Sequence, residues 1–238
     1  YCMLNKTPLI HFINMRRTGL FAINLWEGDE LIGVELTDGG HEIMLATAQG
    51  KSIRFSEESI RSTGRASMGV RSMQLADDDH VVSMCTVSDD RQVLVITENG
   101  YGKRTDISEY REQGRGGKGI NVMRLTEKTG CLAAMLMVRP DDEIMIITDD
   151  GTIIRTPVED IRETGRVTQG VRLMRVADDS RIVDVDIAAH EDDDSELDIP
   201  RQEDDADDFV SLDYPGKEDG ASDDEEEDHD GMDGDDDI

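Results

Sequence analysis

Residues 113–119 read QGRGGKG: Gln113, Gly114, Arg115, Gly116, Gly117, Lys118 and Gly119 set four glycines and two cations in seven positions. Glycine lets main-chain N–H groups turn outward and lets a ligand come close to the backbone, while Arg115 and Lys118 add positive charge. Donors of both kinds converging on one place suit phosphate oxygens. The run is not a nucleotide loop. A Walker A loop needs its lysine followed by Ser or Thr at a helix start, whereas Lys118 leads through Gly119 into the strand-like INVMRL. A dinucleotide fingerprint needs a βαβ setting, which is missing too.

The pair Gly114-Arg115 has sisters, Gly64-Arg65 and Gly165-Arg166, each five residues before a glycine of one register (Gly69, Gly119, Gly170). The matching place nearer the N-terminus holds Asn14-Met15. A second basic set follows the hairpin-type glycines: Lys51 and Arg54, Lys103 and Arg104, then Arg155, with Lys6 in the corresponding place before Thr7-Pro8. Taken singly, each could be charge that protects an exposed edge strand. Recurring at one position of a repeat, they would form an interrupted belt on one circumference, which fits a long polyanion better than a compact ligand. His11, His41, His80, His190 and His229 have no ligand spacing with each other or with cysteine, so no metal site is expected. No residue set combines a nucleophile, a base and an oxyanion hole, so no catalytic residue is assigned.

These side chains need a repeating frame, and the chain supplies one. RTGLFAINL (17–25), SMGVRSMQL (67–75), GKGINVMRL (117–125) and TQGVRLMRV (168–176) superimpose through Gly19, Gly69, Gly119 and Gly170, at spacings of 50, 50 and 51. A second register through Gly50, Gly100 and Gly151 has the same period. Short apolar runs rich in β-branched residues (LIGVELT, EIMLATA, VVSMCTV, QVLVIT, LAAMLMV, EIMIIT) alternate with Gln-Gly, Asn-Gly and Asp-Gly turns. SEESIRSTGR and VEDIRETGR read as single-turn helical or irregular connectors. About four short strands per ~50 residues predict an all-β, propeller-like array of blades over 1–189, just under four of them, with the first incomplete at its N-terminal end.

Formal charge is −30, but it is unevenly placed. Residues 190–238 hold 25 acids against Arg201 and Lys217; residues 1–189 hold 30 acids and 23 bases, net −7. The body is therefore not too acidic for a nucleic-acid partner. The 190–238 stretch has too few large apolar residues to offset chain entropy and is expected to be a disordered acidic tail. Cys2, Cys85 and Cys131 are odd in number and lie in apolar runs, which predicts buried thiols in a reducing compartment. No apolar run approaches membrane-span length. The chain opens on Tyr1 and reads as an interior-to-C-terminal piece of a longer protein.

The period, QGRGGKG, and the phrases EGDELIGVELTDG, VITENGYGKRT and TQGVRLMRV resemble the C-terminal domain of the bacterial DNA gyrase A subunit over essentially all of 1–189. The resemblance implies a six-bladed β-pinwheel, about four blades of it present here, that wraps double-stranded DNA round a basic rim. Its signature box has the pattern Gln-basic-basic-Gly-Gly-basic-Gly and lies in the first blade. Residues 113–119 depart from it at Gly114 and sit in a late blade, as a degenerate copy would. DNA contact carries over to Arg115 and Lys118 with their loop, and beyond it to Arg65, Arg166, Lys103, Arg104, Arg54 and Arg155. The family's cleavage tyrosine lies outside this portion, so Tyr1, Tyr101, Tyr110 and Tyr214 have no catalytic role. What is further implied is a cytoplasmic, nucleoid-associated type IIA topoisomerase of two A and two B subunits that introduces negative supercoils. ATP and Mg2+ are used elsewhere in that assembly, and this stretch binds no cofactor and no membrane. The tail, reaching ~35–40 Å as a flexible chain, would compete with DNA for the rim. The A subunit of topoisomerase IV and a propeller-type protein-binding scaffold are the alternatives.

Overall fold

The structure, a computed structural model, describes residues 1–14 and 17–188. The 190–238 stretch expected as a disordered tail lies outside the described residues.

The apolar runs become strands: β1 Met3–Leu4, β2 Glu42–Thr47, β3 Lys51–Ser56, β4 Val70–Arg71, β5 Val81–Thr86, β6 Gln92–Thr97, β7 Tyr101–Asp106, β8 Ile120–Asn121, β9 Leu132–Val138, β10 Glu143–Thr148, β11 Ile153–Pro157, β12 Val171–Arg172 and β13 Ile182–Ile187. Each blade is built on a hairpin, β2-β3, β6-β7 or β10-β11, turned by Gly50, Gly100 or Gly151 with φ of +74°, +79° and +85°. The next long strand of the chain, after a two-residue one, returns antiparallel to the first hairpin strand: β5 on β2, β9 on β6, β13 on β10. The connectors are 3-10 turns at Glu57–Ser59, Ile107–Glu109 and Val158–Asp160.

The fourth strand comes from the following unit. β8 crosses back to pair with β3, β12 pairs with β7, and β4 pairs with β1, giving sheet orders β5-β2-β3-β8 and β12-β7-β6-β9. The last blade has three strands among the described residues, β11-β10-β13. The register glycine precedes each crossing strand because nothing larger fits. A Cβ on Gly119 (φ +69°) would lie 2.3 Å from the Ser52 carbonyl oxygen; on Gly69 and Gly170 it would meet Leu4 O at 2.7 Å and Gly102 O at 2.6 Å.

Blades stack face to face, and strand alternation sends neighbouring residues into different cores. On β6, Val93 and Val95 pack with Met44, Met123 and Met135, while Leu94 and Ile96 pack with Ile144, Ile146 and Val158. A third core joins Cys2 to Ile43, Ile53, Phe55 and Met73. The methionines here fill space between blades.

Two expectations are corrected. LIGVELT (31–37) is not a strand, and Leu31, Ile32, Val34 and Leu36 are exposed. A strand in its position pairs with the hairpin of its own unit, as β5 does with β2, and no hairpin strand lies beside 31–37 among the described residues. Of the three thiols, Cys2 and Cys85 are buried but Cys131 is exposed, because β9 begins one residue later.

Candidate nucleic-acid interface

The loops that follow the 3-10 turns carry the Gly-Arg pairs, and the backbone ties each to its neighbour. The N–H groups of Thr63, Gln113 and Thr164 donate to the carbonyls of Lys6, Arg54 and Arg104, at 2.8, 2.7 and 2.9 Å. Gly116 N donates to Ser72 O (2.8 Å) and Gln74 N to Gly117 O (2.9 Å); Arg124 N donates to Thr168 O (3.1 Å) and Asn24 N to Ser67 O (3.2 Å). Segments 63–67, 113–117 and 164–168 therefore each lie beside the crossing segment of the unit before, and the loops run in one row across the blades.

Along that row Arg115 and Lys118 are exposed, while Arg65 and Arg166 are half-buried. Arg115 donates to Arg71 O and Arg166 to Asn121 O, so each guanidinium reaches onto the neighbouring crossing segment. Lys118 and Arg65 have no hydrogen-bond or ion-pair partner among the described residues, nor do the N–H groups of Gly114, Arg115, Gly117 and Lys118. Gly114 and Gly117 have room for a Cβ; Gly116 needs its positive φ of +83°; Gly119 serves the strand crossing. Gln113 turns inward, its Nε2 buried without a partner among the described residues.

The second basic set separates into two kinds. Arg54 pairs with Glu42 and donates to Ile107 O (3.2 Å) and Tyr110 O (3.1 Å) of the next unit. Arg104 donates to Gln92 Oε1 (2.9 Å), Ile161 O (2.7 Å) and Glu159 O (3.2 Å). Lys6 does the same with Glu57 O at 3.4 Å. At this position the cation clamps the 3-10 turn of the following blade. Arg155 pairs with Glu143 and reaches no following turn among the described residues; its side chain is 47% exposed, against 15% for Arg54. Lys103 is fully buried, its Nζ donating to Gly165 O (2.8 Å) and Arg166 O, so it props the loop that carries Arg166. Burial pushes its pKa down to about 8; Glu109 opposes that shift and Arg166 adds to it.

The sequence reading passed over Arg61, Arg111 and Arg162, which stand four residues before Arg65, Arg115 and Arg166, and over Arg71, Arg124, Arg172 and Arg175. All are exposed and all lie on the row or its crossing segments. The 50- and 51-residue spacing of Arg61, Arg111 and Arg162 was the available signal. Asp38, His41 and Glu57 bring ligand-type atoms within 4.8 Å of one another. The buried Glu57 carboxylate already accepts from Thr37 Oγ1 (2.6 Å) and His41 N (2.9 Å) and lies 3.5 Å from Lys6 Nζ, which explains an acid where other units bury Ile107 and Val158.

The fold and the row of loops define a strand-exchanging β-propeller array with a cationic flank. The sequence model of the family described as "DNA gyrase C-terminal domain, beta-propeller" matches residues 6–38, 41–88, 91–138 and 142–189, and the chain belongs to that family. It is 54% identical over 193 residues to the DNA gyrase A subunit of Halalkalibacterium halodurans, covering 81% of this chain and 23% of that protein. Over 195 residues it is 42% identical to the corresponding gyrase protein of Salmonella typhimurium, covering 82% and 22%. The chain thus spans under a quarter of the length of these relatives. Among solved structures it resembles the C-terminal domain of DNA topoisomerase IV (TM-score 0.75, 28% identity, 79% of this chain and 59% of that one). It also resembles the DNA gyrase A C-terminal domain (TM-score 0.68, 26% identity, 73% and 59%).

Proposed function

We propose that this chain binds double-stranded DNA along the row of loops and bends it across successive blades, as the wrapping portion of the A subunit of a type IIA topoisomerase. The observation that carries the reading is the alignment of three Gly-Arg loops by backbone hydrogen bonds, which sets Arg65, Arg115, Lys118 and Arg166 with Arg61, Arg111 and Arg162 on one track. Contacts of this kind go to phosphates and do not read base sequence. Bending is costly: a 40–90° bend over 20–30 base pairs takes of order 1–6 kcal/mol. Counterion release from several phosphate contacts has to offset it, so binding falls steeply with salt. Arg54, Arg104 and Lys103 act through the frame, holding blades and loops in line, and Arg155 keeps an exposed guanidinium.

In the assembly implied by the relatives, two A and two B subunits work together in the cytoplasm to supercoil DNA negatively. The ATP and Mg2+ of that reaction are held outside this chain. The acidic 190–238 segment, net −23, competes with DNA for the same track. The test is a linking-number assay on relaxed plasmid with a nicking-closing enzyme, comparing 1–238 with 1–190 across a salt series. A linking shift that is larger for 1–190 supports wrapping and competition. Binding without any shift removes the wrapping reading and favours the topoisomerase IV-like alternative. No binding at low salt removes the DNA reading and leaves the protein-binding scaffold.

A further inference from the structure

Two neighbouring loops of the row rest on different seats. Loop 164–168 is held by three polar side chains of β7 and the 3-10 turn after it. Lys103 Nζ donates to Gly165 O (2.8 Å) and Arg166 O, Thr105 Oγ1 donates to Thr164 O (3.0 Å), and Glu109 Oε2 accepts from Arg166 N (2.6 Å). One period earlier the same three positions are Ile53, Phe55 and Ser59, and none of them bonds loop 113–117 by its side chain among the described residues. There the backbone at Gly117 lies close to Ile53, whose Cδ1 would be 3.6 Å from an added Cβ.

Lys103 is the unexpected member of the set. Its equivalents Ile53 and Ile154 are apolar, and a fully buried ammonium costs more than either because it leaves water. Filling the space does not require a cation. What the cation does is fix two carbonyls facing inward. The described peptide bonds are all trans, and in a trans unit the N–H points opposite to the C=O. With Arg166 O turned in to Lys103, the Val167 N–H turns out, and it has no partner among the described residues. The Val167 side chain is exposed as well. Arg166 N, the donor opposite Gly165 O, goes to Glu109, and the Arg166 guanidinium reaches Asn121 O on the crossing segment.

We infer that Lys103 is a positioning residue for the phosphate contact at Arg166, its ammonium holding the 164–168 loop so that the guanidinium and the Val167 N–H face the DNA backbone. The inference rests on the DNA reading proposed above. Lys103 touches no DNA and acts through the loop. Its charged form holds the two carbonyls by charge-assisted bonds, about twice as strong as neutral ones. The charged groups facing it are Glu109, from the 3-10 turn, and Arg166, from the loop. β6 opposes it with Val95, and Tyr110 stays neutral, burial pushing its pKa up to about 12. A phosphate docked on the loop favours the ammonium, so DNA binding takes up a proton wherever free Lys103, with its pKa of about 8, is partly neutral. Affinity is therefore full below pH 8 and falls as pH rises past it, by about tenfold for each unit that the phosphate raises the pKa.

The test follows binding of the 1–238 chain to a fluorescent DNA duplex at low salt, by anisotropy, from about pH 7 to about pH 9.5, across the Lys103 pKa. Wild type, Lys103→Met and Lys103→Ile are compared at equal fraction folded, checked by circular dichroism. At the low end of the range both variants should bind about three- to tenfold more weakly than wild type, part of what one charged hydrogen bond is worth. Toward the high end the gap should close, because wild-type Lys103 is then neutral too; groups titrating elsewhere drop out of the difference. Lys103→Met should add little to the loss caused by Arg166→Ala, and its full loss to that caused by Arg115→Ala. A gap that stays constant with pH, or that adds in full to Arg166→Ala, marks a structural role alone and overturns the inference. Wild-type affinity in both variants also overturns it, and leaves the DNA reading standing. A wild-type chain that binds no duplex at low salt overturns the DNA reading and this inference with it.

Discussion

Replacing the glycines of 113–119 one at a time by alanine separates those that serve the fold from those left for a ligand. Gly114 has an ordinary φ and open space around it, so Gly114→Ala should leave stability within about 0.5 kcal/mol. Gly116 also has open space but sits at φ +83°, and Gly116→Ala should cost about 1–2 kcal/mol, the penalty of a left-handed backbone for an L-residue. Gly119→Ala bears the same penalty and a collision besides. Its Cβ would be 2.3 Å from Ser52 O and 2.7 Å from Met73 Cε, so β8 must lift from β3 and Met73 must leave its place in the core. Loss of ladder hydrogen bonds at about 0.5–1.5 kcal/mol each and of packing around Met73 brings the expected total to about 3–5 kcal/mol.

Urea unfolding followed by circular dichroism reads the series. With a slope of roughly 1–3 kcal/mol per molar, Gly119→Ala should move the midpoint by about 1 M or more, and clearly further than Gly116→Ala. Equal midpoints for these two variants would refute the strand-crossing account of Gly119. The same proteins report on the ligand. If DNA approaches the loop backbone closely, Gly114→Ala weakens DNA binding at low salt while its urea midpoint stays that of the wild type.

Other outcomes follow from the same geometry. Arg104→Ala frees two carbonyls of the next blade and should cost about 2–4 kcal/mol in urea unfolding, whereas Arg155→Ala removes a half-exposed ion pair and should cost about 0–1 kcal/mol. Arg115→Ala with Lys118→Ala should lower the slope of log affinity against log salt by about 1.8, two contacts at ~0.9 each, at a stability cost of no more than about 1.5 kcal/mol from the lost Arg115 bond to Arg71 O. Lys103 has its pKa lowered from 10.5 to about 8, so the fold disfavours its charged form. Unfolding free energy therefore gains nothing from it below pH 8 and rises between pH 8 and 10.5, by no more than about 3 kcal/mol. In Lys103→Ile, which copies the residue at position 53, that rise should be missing from the difference between the two stability–pH curves.

The period made most of the frame legible. Gly50, Gly100 and Gly151 marked the hairpins, and the runs at 42–47, 92–97 and 143–148 became first hairpin strands because β-branched and apolar residues suit a strand buried on both faces. The crossing strands were not legible. Val70–Arg71, Ile120–Asn121 and Val171–Arg172 are two residues long, too short for alternation to show, and their partners lie about 70 residues away on another unit. The register glycines were visible, but not their cause: the close approach of a backbone from the preceding blade. LIGVELT reads as a strand for good local reasons and is not one, since a strand forms only beside a partner.

The basic residues show the same limit from the other side. Arg54, Arg104 and Arg155 occupy one position of the repeat, and a belt of equivalent cations was the natural reading of that recurrence. Equivalence in sequence carries equivalence of place within a blade, yet what a side chain meets is set by the neighbouring blade. Where a following 3-10 turn is present, the guanidinium is drawn onto its carbonyls, and the charge serves cohesion; where it is absent among the described residues, at Arg155, the same residue stands half in solvent. Arg61, Arg111 and Arg162 recur as regularly and remain exposed in every copy: the backbone of their loops makes the inter-blade hydrogen bonds, while their side chains have no hydrogen-bond or ion-pair partner among the described residues. In a stacked array, then, the cations available to a polyanion are those whose position in the repeat faces away from both neighbours. Substituting Arg61, Arg111 and Arg162 together should weaken DNA binding more than substituting Arg54 and Arg104, once both proteins are compared at equal fraction folded.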